Sequence, residues 1–276
     1  MLRIHHLNCG SLAPRFPKVQ SVVYCLLVES NAGLVLVDTG FGVRDYRAPT
    51  PVMRFFLWLM GVLRTLEETA AQQVTRLGFA VEDVQHIVLT HLHLDHAGGL
   101  PDFPEARVHV FRPEYEAAMR PRGLLAWGYV SAHWAHGPRW VVHDCCDTMW
   151  FDFEAITVVD DLTPEILLIP LPGHTPGHCG VAVKTLAPAG LTAAPCAEWL
   201  LHCGDAVSPF HRAVDLHQHP DRQQPLNIIP DRLVQRLLGG HIPRLRVLQR
   251  EHREQIAFTS SHDIYSLAEN AQSFPI

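Results

Sequence analysis

Lysine is almost missing from this chain. Only Lys18 and Lys184 occur among 276 residues, and the remaining basic side chains are scattered arginines. With a net charge of −6 and no basic block to follow a phosphate backbone, a nucleic-acid surface is excluded. The seven cysteines (Cys9, Cys25, Cys145, Cys146, Cys179, Cys196 and Cys203) are odd in number and form no C-x-x-C pair. Free thiols in a reducing compartment are the simplest reading, and a metal role for cysteine is weak because none lies inside the histidine cluster at 91–96. The opening Met1-Leu2-Arg3-Ile4-His5-His6 lacks the apolar core of an export signal, so a cytoplasmic location is expected. No apolar run is long enough to span a bilayer. The strongest, Val52 to Leu63, is short and interrupted by Arg54. It reads as a buried or capping helix, with a substrate-covering flap or a dimer contact as alternatives. A Gly-x-Ser-x-Gly elbow is absent, so no serine nucleophile of that type is available. Charged residues make up only 18% against 47% apolar, which excludes global disorder and provides for a sizeable core.

What the chain does have is histidine, 19 residues of it. Three fall within six positions, in His91-Leu92-His93-Leu94-Asp95-His96, directly after the apolar run Ile87-Val88-Leu89. One tight loop can aim all of these at one place, and imidazole with carboxylate suits zinc and its first-row neighbours. His91 and His93 alternate about Leu92 and can share one metal, while Asp95 and His96 can reach a second. Ala97-Gly98-Gly99 lets the backbone turn sharply beside them. The segment reads as the heart of a two-metal hydrolytic centre.

Elsewhere, strand signals recur and end in ligand-type residues. Val22 to Val28 and Leu34 to Val37 read as a hairpin about Asn31-Ala32-Gly33, ending in Asp38-Thr39-Gly40. Glu67 to Leu77 has helical spacing and stops near Gly78. Arg107 to Phe111 is a strand, followed by a helix from Pro113 to Met119. Residues 120–150, rich in Trp, Gly, Pro and His, resist assignment and read as an insertion near the site. Ile166 to Ile169 leads to His174 and His178, with Val181 to Val183 as the next strand. Trp199 to Cys203 leads to Asp205, and Gln255 to Thr259 to His262 and Asp263. Pro230 to Leu238 reads as a helix, and Arg246-Val247-Leu248 is ambiguous. Ligand-type residues at strand ends mark an α/β site held by a rigid sheet.

In order, Leu36-Val37-Asp38-Thr39-Gly40, Thr90-His91-Leu92-His93-Leu94-Asp95-His96, Gly173-His174-Thr175-Pro176-Gly177-His178, Gly204-Asp205 and His262 resemble the motifs of the metallo-β-lactamase fold superfamily. The resemblance covers nearly the whole length. It implies a four-layer αβ/βα sandwich in one domain, 1–276, with pocket-shaping insertions near 44–65 and 120–150. It also implies two divalent metals, zinc or else Mn, Fe or Co. His91, His93 and His174 would hold the first metal, Asp95, His96 and His262 the second, and Asp205 both. Asp38 is the candidate to orient a ligand imidazole. His178 is read as structural or orienting, and Asp263 as orienting or solvated.

Two metals lower the pKa of a shared water, and the hydroxide so formed attacks a carbonyl carbon. Asp95 is placed to shuttle the proton to the leaving group. The run His262-Asp263-Ile264-Tyr265 resembles the N-acyl-homoserine lactonase branch. Ser208 stands where that branch often has a tyrosine, and Tyr129, Tyr265 or His211 are the candidates to replace it. Phe55, Trp58 and Trp127, with Trp134 and Trp140, could wall an acyl chain, and Ser208 and His211 complete the expected pocket. The leading expectation is a lactone-opening hydrolase. The alternative is a thioesterase of the glyoxalase II type or a general esterase. A β-lactamase is disfavoured by Asp205, and an iron persulfide dioxygenase by the full ligand set. The expected partner is a small-molecule substrate, and the apolar 52–63 stretch suits a homodimer contact.

Overall fold

In the computed structural model, residues 3–14, 20–123, 127–185, 197–207 and 241–271 are described. The hairpin expected about Asn31 is present: β2 (Ser21–Ser30) and β3 (Gly33–Val37) pair antiparallel across the Asn31-Ala32 turn. β1 (Ile4–Leu12) adds antiparallel to β2. β4 (Val84–Val88), β5 (Arg107–Phe111) and β6 (Arg139–His143) continue the sheet in parallel, giving the order β1-β2-β3-β4-β5-β6. A second sheet, β12-β11-β10-β9-β8-β7, is built from β7 (Thr148–Trp150), β8 (Phe153–Thr157), β9 (Ile166–Pro170), β10 (Cys179–Lys184), β11 (Trp199–His202) and β12 (Ile256–Thr259). Within the stretch read as an insertion, 139–143 and 148–150 are therefore edge strands of the two sheets.

Strand alternation explains the layers. Tyr24, Leu26, Val28, Val35, Val37 and Val88 face Ile156, Ile166, Leu168, Val181, Val183 and Leu200 in the core between the sheets. The alternate residues of the first sheet, such as Leu27, Leu36 and Ile87, pack outward. There they meet helices α1 (Val43–Arg47), α2 (Pro51–Leu59), α3 (Ala70–Arg76) and α4 (Arg112–Met119). On the outer face of the second sheet, Ile242, Leu245 and Leu248 of α5 (Ile242–Glu251) cover Leu167, Ile169 and Leu201. α6 (Ile264–Ala271) follows β12. Each fully buried Leu or Ile in these layers stabilises by about 1.5–3 kcal/mol. The result is the expected helix–sheet–sheet–helix sandwich.

Some sequence expectations change here. Residues 67–77 divide into a short 3-10 turn, Leu66–Glu68, and α3, because Thr69 adopts an extended backbone between them. The ambiguous 246–248 stretch lies inside α5. The expected helix at 230–238 lies outside the described residues. α2 is not buried throughout: Met53, Phe56 and Leu57 enter the core, while Val52, Phe55, Trp58 and Leu59 stay exposed. Its apolar residues exceed what one helix face can turn inward. Among the described residues, no helix is long and apolar enough to cross a membrane.

Candidate metal centre

β4 ends at Val88, and the loop after it carries His91, His93, Asp95 and His96. From the second sheet, His174 lies in the β9–β10 loop, Asp205 in a 3-10 turn after β11 and His262 just beyond β12. Strand ends of both sheets thus deliver side chains to one place. His91, His93 and His174 form one group with ligand atoms within 4.8 Å of one another. Under the same limit, Asp95, His96 and His262 form another, and His91, His96 and Asp205 link the two. Asp205 lies centrally: its Oδ1 is 3.4 Å from both His96 Nε2 and His262 Nε2, and its Oδ2 is 3.4 Å from His174 Nε2. Asp95 Oδ2 is 3.7 Å from His262 Nε2.

The outward-facing nitrogens are held. His96 Nδ1 donates to Asp38 Oδ2 at 2.8 Å, and His262 Nδ1 to the Val22 carbonyl at 2.8 Å. His91 Nδ1 hydrogen-bonds Thr90 Oγ1 at 3.0 Å. His93 Nδ1 instead turns inward, toward His174 Nε2 at 3.0 Å on the Asp205 side. The atoms turned inward, His91 Nε2, His96 Nε2 and Asp205 Oδ1, are buried and have no hydrogen-bond partner. Buried polar atoms without partners are costly, so several converging on one point call for an electrophile. The donor set fits a divalent metal pair: nitrogen and oxygen only, with the His91, His96 and His262 rings held from behind.

The electrostatics differ between the two groups. Burial and then neighbouring histidines push His91 well below its ordinary value, and His93 to about 3. His174 is also lowered, chiefly by burial. Burial thus favours the uncharged form of these three rings, the form that ligates a metal. Burial alone would raise Asp205, but His262, His96 and His174 overcome it and hold the carboxyl well below its usual range. Burial opposes charge on His96 and His262 as well. Asp205 and the other carboxylates beside them prevail, raising His96 to about 10 and His262 to about 9.

The supporting residues are placed as follows. Asp38, with φ 54°, accepts Thr90 N and Thr90 Oγ1 as well as His96. His178 Nε2 accepts from Asp205 N at 2.9 Å, and its ring lies 5.1 Å from that of His91. Asp263 accepts from Ser266 N and Oγ, as a helix cap does. Phe55, Trp58 and Trp127 are exposed. Trp127 packs on Phe56 at 5.9 Å, and its neighbour Gly128 abuts His93: a Cβ there would fall 2.6 Å from the His93 ring. Phe55 and Trp58 form an exposed aromatic ridge, their ring centroids 6.1 Å apart. Tyr129 meets His93 edge-to-face at 5.0 Å, but its hydroxyl donates to Glu114. Ser208 and His211 lie outside the described residues, as does the side chain of Tyr265. The sequence reading missed Glu114 and Thr90. Glu114 looks like a surface glutamate on a polar helix, and Thr90 is noticeable only by its place before His91.

Comparisons with known proteins point the same way. A profile of the metallo-beta-lactamase superfamily matches residues 20–190. "Probable metallo-hydrolase Rv2300c" of Mycobacterium tuberculosis is 41% identical over 215 residues, 76% of this chain. The chain spans 64% of that relative's length. An N-acyl homoserine lactonase of a Bacillus species is 29% identical over 164 residues, covering 59% of this chain and 58% of its own. Among solved structures, an N-acyl homoserine lactone hydrolase with N-hexanoyl-L-homoserine at its metal centre aligns with a TM-score of 0.64 at 21% identity. That alignment covers 99% of this chain and 96% of the other. With its two sheets, its ordered histidine motifs and this profile match, the chain belongs to the metallo-beta-lactamase superfamily.

Proposed function

We propose that the protein is a two-metal hydrolase that opens a lactone. The observation that carries this reading is the pair of three-residue ligand groups, His91/His93/His174 and Asp95/His96/His262, with Asp205 reaching members of both. When bound, two divalent ions, zinc being the best match to the donor set, supply Lewis acidity and an activated water. The chain's own residues do the rest. Asp205 fixes the spacing of the two groups. Asp95, partly open to solvent and beside His262, is positioned to carry a proton to the leaving oxygen. The Phe55–Trp58 ridge and the exposed Trp127 offer apolar surface for an acyl chain, and Gly128 beside Trp127 abuts His93. This favours an N-acyl-homoserine lactone or a similar amphiphilic cyclic ester. The buried free thiols Cys9, Cys25, Cys179 and Cys203 fit a cytoplasmic enzyme.

A second reading, a thioesterase or general esterase, uses the same centre. It is favoured by Tyr129, whose hydroxyl is engaged with Glu114 rather than free to meet a lactone carbonyl. The test is metal content and hydrolysis on one metal-replete sample, against acyl-homoserine lactones, simple lactones, aryl esters, S-lactoylglutathione and a β-lactam. About two metals per chain with lactone opening supports the first reading, and a thioester or ester preference supports the second. One iron, or no metal, with no hydrolysis overturns both.

A further inference from the structure

A carboxylate that is not itself in a ligand group is buried between the two loops that carry the three-histidine group. Glu114, on the first turn of α4, is 1% exposed. Its Oε1 accepts from Leu92 N at 2.8 Å and from the Tyr129 hydroxyl at 3.1 Å. Its Oε2 accepts from Thr175 Oγ1 at 2.5 Å and from Gly177 N at 3.2 Å. Leu92 sits between His91 and His93, Thr175 follows His174, and the Tyr129 ring meets His93 edge-to-face. The 173–178 loop is pressed directly on this point, since a Cβ on Gly177 would lie 2.0 Å from Glu114 N. Burying a carboxylate is costly, and burial does push the Glu114 carboxyl up, although all four donors pull it back. Every one of those donors belongs to a segment that carries or touches His91, His93 or His174. Only Leu92 shares its loop with Asp95 and His96, and it lies between His91 and His93, three residues before Asp95.

We propose that Glu114 is a positioning residue for the three-histidine group alone, setting the separation of the His91–His93 loop from the His174 loop and so the affinity of that one metal position. The proposal rests on the metal-centre reading above, and it makes the two positions separable. A clamp that merely held the fold together would affect both alike.

The test places Glu114→Gln in two backgrounds and titrates each purified protein with Zn²⁺ against a chromophoric chelator. His262→Ala leaves the three-histidine group intact, and His93→Ala leaves Asp95/His96/His262. In the first background, Glu114→Gln is expected to weaken Zn²⁺ by about 10–100-fold, the usual cost of losing a group that orients ligands from behind. In the second the change is expected to stay below about threefold. Glu116→Gln, on the exposed side of the same helix, is the control and changes neither. Should Glu114→Gln fail to fold, Thr175→Val removes one donor, keeps the carboxylate and is expected to show the same selectivity at smaller size. Equal weakening in both backgrounds, or none in either, overturns the proposal while leaving the metal centre intact. A wild-type chain that binds no Zn²⁺ overturns both together.

Discussion

Asp38 and Thr90 are joined twice, Thr90 N reaching Asp38 Oδ1 at 2.8 Å and Thr90 Oγ1 reaching Asp38 Oδ2 at 2.7 Å. Because Asp38 also holds His96 and Thr90 also holds His91, one carboxylate steers an imidazole in each ligand group. Asp38→Asn is expected to fold, since asparagine tolerates the left-handed backbone at this position (φ 54°). Its metal affinity should fall about 10–100-fold at both positions. Chelator competition on the purified variant checks this, and unchanged affinity would show that Asp38 orients nothing.

Gly128→Ala places a Cβ 2.6 Å from His93 Cδ2 and 2.8 Å from His93 Nε2. Either the ring or the strap carrying Gly128 must move. The variant should lose at least about tenfold in kcat/KM through small misplacement of a ligand, with a smaller effect on melting temperature because the three nearest atoms its Cβ would meet all belong to the His93 side chain. Turnover and thermal unfolding measured side by side decide it.

His86, His109 and His143 form a hydrogen-bonded row across β4, β5 and β6, at 2.9 and 3.1 Å. Burial, then His86, His143 and Arg107, pushes His109 down to about 3. The folded chain thus keeps this ring neutral where an unfolded chain, titrating near 6.5, would protonate it. More protons bind the unfolded state between those values, so stability is complete above about pH 6.5 and is lost as pH falls toward about 3. His109→Gln should therefore flatten the pH dependence of the melting temperature in chelator-treated protein over that window. Parallel curves for the variant and the wild type would refute it.

Phe55→Ser and Trp58→Ser remove exposed apolar surface, so each should change stability by no more than about 0.5 kcal/mol. If the ridge carries an acyl chain, kcat/KM for long-chain lactones drops while that for short-chain lactones holds. A uniform loss across chain lengths would assign the ridge elsewhere.

The sequence made the centre legible because its chemistry is local. Four of the seven clustered side chains sit in one hexapeptide, and the other three stand at strand ends flanked by glycine or serine. The hairpin about Asn31 and the strand at 107–111 were equally plain. What could not be read depends on distant partners. Glu114 meets Leu92, Thr175 and Gly177 across 22, 61 and 63 residues, and nothing in its helical surroundings marks it as buried. β1 carries two histidines and an asparagine, and only its pairing with β2 makes it a strand. β6 and β7 are edge strands in a segment rich in turn formers, where pairing outweighs local preference.

The first sheet is drawn entirely from residues 4–143 and the second from 148–259. Each of the three ligand groups nonetheless takes members from both. As the chain leaves the ribosome, the hexapeptide is complete long before Asp205 or His262 exists, and no group can close on its own half. Metal capture is thereby deferred until the two halves have docked, and a bound ion certifies that assembly is finished.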